Sequence, residues 1–169
     1  IVRVKILQKK TSEALNILKN MEENPKYDDF SEQIEYWKGW AFMFGDDWDK
    51  AYELFSGNNE HSKLAELSKN TADEKYSVLF SKVISYILPG SGQIYTGNYL
   101  SGLLSLSWNG LLGYLTINSF IEKRIFDGIV IGNLLWLRFY RGNIQNAENF
   151  AVQENIKIAN ETLRYLQKN

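Results

Sequence analysis

The chain has 169 residues, enough for one ordinary domain or a short helical array with something attached. Its 19 basic and 20 acidic side chains leave a net charge of -1, which excludes the global basic field expected of a nucleic-acid binder. With no cysteine and one histidine, His61, the sequence excludes disulfides, thiolate chemistry and Cys- or His-cluster metal sites.

The charge is unevenly spread. Residues 1–82 hold 12 Lys+Arg and 15 Asp+Glu, whereas residues 83–169 hold 7 and 5. Between Lys82 and Glu122 lie 39 residues, Val83 to Ile121, with no charged side chain. In a soluble protein about one residue in four is charged, so this stretch is expected to meet lipid or to be buried in a larger assembly. The boundary is expected near residues 70–82, after the polar run Ser68 to Lys75.

In the first part, Ala14, Leu15, Ile17, Leu18 and Met21 are spaced for one face of a helix over 12–23. Thr11 and Ser12 offer capping hydroxyls, and Asn24-Pro25 ends the helix. A second helix is expected from about Phe30 to Phe44, ending at Gly45. Asp46 or Asp47 can cap a third, which carries Trp48, Ala51, Tyr52, Leu54 and Phe55 and stops at Gly57-Asn58-Asn59. The acidic cluster Asp46-Asp47-Trp48-Asp49 lacks the ligand alternation of a calcium loop and reads as a cap. His61 reads as a solvated loop residue.

Gly39-Trp40-Ala41-Phe42, the Gly45-Asp46 turn and Ala51-x-x-x-Phe55 together resemble the tetratricopeptide repeat. Ala14 and Leu18 followed by Pro25 look like the second helix of a preceding repeat, with an insertion near Tyr27–Ser31 and Gly45 one place early. The resemblance covers roughly residues 1–58. It implies antiparallel helical hairpins that contact other protein subunits. So short an array does not bury its own faces. Trp37, Trp40, Phe44 and Trp48 are therefore candidate partner-binding residues, with an intramolecular core as the alternative.

The second part opens with an apolar helix, Tyr76 to Leu88, broken by Pro89 to Tyr99. Proline removes a backbone donor and the glycines permit sharp turns. Pro89, Gly90, Gly92, Gln93, Tyr95, Gly97 and Gly102 form a candidate turn motif at a membrane boundary, in which Gln93 satisfies backbone groups freed by the break. Tyr99 to Ile121 is long enough as a helix, about 34 Å, to cross a bilayer core. After Glu122-Lys123-Arg124, the segment Ile125 to Tyr140 completes a hydrophobic hairpin. Asn109, Gly110, Gly113, Gly128 and Gly132 are the expected packing positions between its arms. The Gly90-x-Gly92 pair is not followed by Gly-Lys-Ser/Thr, so it is not a phosphate loop. A final amphipathic helix is expected over 143–168.

Pro89-Gly90-x-Gly92-Gln93-x-Tyr95-x-Gly97-x-x-x-x-Gly102, then Asn109 and Tyr114, then Gly142-Asn143-Ile144, resembles a group of bacterial envelope proteins. In these a hydrophobic two-helix module follows tetratricopeptide-like helices. The Tyr-x-Gly-x-x-x-x-Gly portion is also similar to small two-transmembrane-helix modules. The resemblance implies membrane association in the bacterial cell envelope with the repeat region periplasmic, and a signal peptide upstream of Ile1.

The expected fold is thus all-α: tetratricopeptide-like hairpins (1–75), a hydrophobic membrane-associated module (76–142) and a C-terminal amphipathic helix (143–169). The expected role is a non-enzymatic scaffold or accessory subunit of an envelope complex, for protein transport or outer-membrane protein assembly. Its partners would be other protein subunits and membrane lipid; no nucleic acid and no cofactor is implied. Alternative readings are a soluble lipid-binding helical protein, with Gln93, Asn109 and Arg138 orienting a head group, and a subunit whose apolar hairpin is buried in a partner.

Overall fold

The computed structural model describes residues 1–168, and every regular element among them is helical. The chain divides into two compact units. One comprises residues 1–75 and 158–169, the other residues 76–157.

In the first unit α1 (Val2–Leu7), α2 (Thr11–Glu22), α3 (Ser31–Phe44), α4 (Trp48–Ser56) and α5 (Ser62–Glu74) pack in sequence, each on the next. Asn24 accepts the Lys26 N–H at 3.1 Å and starts a 3-10 turn, Pro25–Phe30, where a plain helix stop was expected. Small residues set the spacing. Ala14, Ala41 and Ala51 are buried, and a Cβ on Gly39 would overlap the Phe55 ring. At the α3–α4 turn the two aspartates divide the work. Asp47 caps α4 by accepting the Lys50 N–H at 3.4 Å. Asp46 takes a positive φ of 67°, accepts the Trp48 indole N–H at 2.8 Å and pairs with Lys75 at 2.7 Å.

Residues 59–75 form a second 3-10 turn (Asn59–His61) and α5, which the polar run did not announce. The inward face of α5 is built from Ala65, Ser68 and Thr71, spaced three apart. Thr71 and Thr162 share a hydrogen bond at 2.8 Å, which ties α5 to the end of the last helix. His61 is not simply solvated: its ring lies 4.9 Å from that of Tyr36 and 5.9 Å from that of Phe55.

The second unit holds α6 (Val78–Ile87), α7 (Ser91–Tyr95), α8 (Tyr99–Ile121) and α9 (Ile125–Val130). A π turn (Ile131–Trp136) follows, then the first part of α10 (Leu137–Lys168), whose last part belongs to the first unit. The expected break before residue 143 is absent: α10 runs through Gly142 and Asn143. The Pro89–Tyr99 stretch is more ordered than a loop, because it contains the helical turn α7 between two left-handed glycines, Gly90 (φ 95°) and Gly97 (φ 79°).

The expectation of a membrane-crossing segment needs correction. No helix among the described residues is long and apolar enough to cross a membrane. The reason lies in α8, whose 23 residues are interrupted by Ser101, Ser105, Ser107, Asn109, Thr116, Asn118 and Ser119.

The two units have opposite interiors. The first buries Ile6, Leu18, Met43, Trp48 and Phe55, an ordinary apolar core. The second buries Leu112, Ile144 and two alanines, but mainly Ser81, Ser85, Gln93, Asn109, Ser119 and Asn143, while Leu79, Ile87, Leu100, Tyr114, Ile121 and Phe126 stand exposed.

Candidate functional site

The turn motif is built around one asparagine of α10. Asn143, 2 % exposed, accepts through Oδ1 from the Gly90 N–H at 2.8 Å, the Ser105 hydroxyl at 2.7 Å and the Gln93 side-chain amide at 3.0 Å. Its own amide donates to the Ser85 carbonyl at 3.2 Å. The N–H left over at the Pro89 break is therefore taken by Asn143. Gln93, expected in that role, donates instead to the Asn143 side chain and carbonyl. Four segments separated by up to 58 residues meet at this one side chain. Burial of that many polar groups is tolerable because most of them pair with one another, although Gln93 Oε1 is left without a hydrogen-bond partner.

Around this hub the glycines mark points where backbone meets backbone. The Gly92 N–H donates to the Ser85 hydroxyl at 3.0 Å, and the Ser81 hydroxyl donates to the carbonyls of Gly92 at 3.2 Å and Ala147 at 2.9 Å. A Cβ on Gly92 would overlap the Ser81 carbonyl and the Ser85 hydroxyl and stand 2.7 Å from the Ala147 methyl. Gly90 and Gly102 face each other closely enough that a Cβ on Gly102 would lie 2.7 Å from the Gly90 carbonyl oxygen. Gly97 has open space about it and serves its positive φ alone. The Tyr95 hydroxyl accepts the Ser77 N–H at 3.2 Å, and its ring meets those of Tyr76 and Phe80 edge-on. Pro89 precedes this closure, and Tyr99 is exposed.

Of the hairpin positions, Gly128 lies against Phe120 and Gly132 against Thr116, both on α8, and a Cβ on Gly113 would stand 3.3 Å from the Trp136 ring. Asn109 is buried and donates to the Ser105 carbonyl at 2.8 Å. Gly110 does not belong to the set: it is exposed, and a Cβ there would meet nothing within 4 Å.

A groove of about 770 Å³ opens beside the hub, between α8 and the π turn with α10. Leu100, Leu104 and Trp108 form one wall at one-turn spacing, and Arg138 lies in the other. The Trp108 and Phe139 rings stack with centroids 5.8 Å apart. Asn143 and Ser105 also line the groove, but are committed to each other.

The tryptophan cluster of the first unit divides. Trp37, Trp40 and Phe44 are half-buried and line a groove of about 460 Å³ that also includes Leu7 and Leu166. Trp48, expected among the partner-binding residues, is 2 % exposed and packs with Met43, Ala51 and Phe55. Its hydrogen bond to Asp46 uses its only polar atom, so it is core and offers no partner surface.

The Asn143 hub could not be found from spacing, since Gln93 and Asn143 are 50 residues apart. The available signal was the presence of Gln93, Asn109 and Asn143 among apolar neighbours. No group of acidic or histidine side chains able to hold a metal ion occurs among the described residues. Comparison of the chain with protein-family models, curated proteins and solved structures finds no match.

Proposed function

We propose that the chain is a non-enzymatic accessory or scaffold subunit of a bacterial envelope complex. In this reading residues 76–157 seat it at a membrane without crossing it, and the helical array of residues 1–75 engages other protein subunits. The resemblance of its motifs to envelope proteins motivates the setting, with protein transport or outer-membrane protein assembly as the process served.

One observation carries the reading: the second unit buries mainly small and polar side chains while most of its large apolar side chains are exposed. In water this arrangement is unfavourable. Transfer of each exposed Leu, Ile or Phe to an apolar medium is worth roughly 1.5–3 kcal/mol. Hydroxyls and amides mostly paired inside, with glycines permitting close helix contact, are the interior expected of a body whose exterior meets hydrocarbon. Single large apolar residues on a surface need no explanation, but so many on one unit do. The half-buried Trp37, Trp40 and Phe44 supply aromatic area of the type favoured at protein interfaces.

The test is flotation of the full chain with phosphatidylcholine vesicles on a density gradient. Recovery in the vesicle fraction, lost on Leu103→Asp with Ile117→Asp, is the expected outcome. A chain that stays at the bottom of the gradient and is monodisperse without detergent would refute membrane seating.

A further inference from the structure

The groove beside Arg138 has a chemistry that the structural role of the hub does not account for. Residues 76–157 contain six basic and four acidic side chains. Each of the four carboxylates is already paired: Glu122 and Asp127 with Arg124, Glu148 with Lys82, and Glu154 with Lys157. The cations without a carboxylate partner among the described residues are Lys123, Arg138 and Arg141. Of these, Arg138 is the one that lines the groove. Ser101 and Asn146 join it there, and neither side chain has a hydrogen bond to another described residue. The site therefore offers a guanidinium, an amide and a hydroxyl as free donors beside a wall of leucine and tryptophan.

Gly142 adds a second, independent observation. It lies inside α10, four residues after Arg138 and four before Asn146, and lines the same groove. A glycine inside a helix costs about 1 kcal/mol relative to alanine. Elsewhere in this unit Gly92, Gly102, Gly113, Gly128 and Gly132 answer to a close neighbour, whereas a Cβ on Gly142, like one on Gly97 or Gly110, would meet nothing within 4 Å. Of these three open positions Gly142 is the one that lines the groove, and glycine there leaves that part of the wall without a side chain.

We propose that this groove binds one anionic phospholipid, its phosphate held by Arg138 with Asn146 and Ser101 at the polar end. Its acyl chains would run along Leu100, Leu104 and Trp108. The proposal rests on the membrane-seated reading and deepens it by naming the lipid class. The arginine fork gives directional hydrogen bonds to the phosphate of either head group, but the groove holds no carboxylate to pair a choline ammonium, so charge complementarity favours an anionic head group over a zwitterionic one.

The experiment is native mass spectrometry of the full chain in mild detergent, titrated with phosphatidylglycerol or phosphatidylcholine. The native chain is expected to retain one phosphatidylglycerol, with about tenfold preference over phosphatidylcholine. Arg138→Gln should reduce phosphatidylglycerol retention about tenfold. Arg141→Gln should cost no more than the roughly fivefold of a general surface charge. Gly142→Leu should fill the groove and abolish retention while the melting temperature stays level or rises, which separates blockage from misfolding. Equal losses from Arg138→Gln and Arg141→Gln, or full retention in Gly142→Leu, would overturn the site. Competition by glycerol phosphate as effective as by the lipid would also overturn it, leaving a site for free phosphate. Flotation on neutral vesicles, measured separately, tests membrane seating itself: Arg138→Gln is expected to float like the native chain. Failure of every form to float would therefore strike the seating rather than the lipid preference.

Discussion

Two glycine-to-alanine substitutions of identical chemistry should move stability in opposite directions. At Gly92 the new methyl meets the Ser81 carbonyl, the Ser85 hydroxyl and the Ala147 methyl at once. The Ser81 carbonyl is backbone, the Ala147 methyl is fixed to its helix, and the Ser85 hydroxyl is held by the Gly92 N–H, so moving it aside costs that bond. Forcing a methyl into a packed interior costs about 1–3 kcal/mol. Separating α7 from α6 also stretches the bonds between the Gly92 N–H and Ser85 and between Ser81 and the Gly92 carbonyl. Each buried polar group left without a partner adds about 1–3 kcal/mol, so a total of about 3–5 kcal/mol is expected. At Gly110 the methyl meets nothing, and relief of helix-interior glycine should stabilise by up to about 1 kcal/mol. For a chain of this size that corresponds to a fall of roughly 6–20 °C for Gly92→Ala and a rise of up to roughly 2–4 °C for Gly110→Ala. Thermal unfolding followed by circular dichroism in one mild detergent measures both. Melting temperatures for the pair within about 2 °C of each other would refute the argument that close packing at Gly92 organises this unit.

Asn143→Ala should cost about 3 kcal/mol or more, since it strands the Gly90 N–H, the Ser105 hydroxyl and the Gln93 amide together. Hydrogen exchange at the Gly90 amide should accelerate before that of the first unit. In that first unit, Gly39→Val should destabilise by about 1–3 kcal/mol by displacing the Phe55 ring, read from urea unfolding monitored by tryptophan fluorescence. The Lys5 ammonium, hydrogen-bonded at 2.6 Å, holds the Glu13 carboxyl below its ordinary pKa. That contact stabilises the fold above the usual carboxylate range and is lost as pH falls through the lowered value. Lys5→Met should move the Glu13 midpoint upward in an NMR titration, and an unchanged midpoint would contradict the assignment.

Much of the helical layout was legible because apolar spacing and helix punctuation act over a few residues. Asn24-Pro25, Gly45 with Asp47, and Gly57 all mark ends that the structure keeps to within a residue or so. Helix α5 escaped notice because its inward face mixes Leu64, Ala65 and Ala72 with the buried polar residues Ser68 and Thr71, which break up the apolar stripe. Length alone misled at α8, where seven serines, threonines and asparagines dilute an otherwise apolar helix. Trp48 shows the limit of residue type as a guide: a tryptophan in a repeat-like helix can equally be core or surface, and the Asp46 carboxylate that satisfies its indole decides for core. The Asn143 hub is a long-range object. Its parts are visible in the sequence as polar residues in apolar surroundings, but their meeting depends on α10 continuing through Gly142, where a helix start had been expected.

The central claim is that the exposed apolar side chains of residues 76–157 contact lipid. The natural absence of cysteine makes a direct measurement simple, because single cysteines carrying a polarity-sensitive fluorophore can be introduced without any background. Labels at Leu103, Ile117 and Phe126, all exposed, should shift to the blue and resist an aqueous quencher when vesicles are added. Labels at Glu23 and Asn59, exposed on the first unit, should stay water-like under the same conditions. Labels at Leu103, Ile117 and Phe126 that remain fully quenched by the aqueous reagent with vesicles present would contradict the claim.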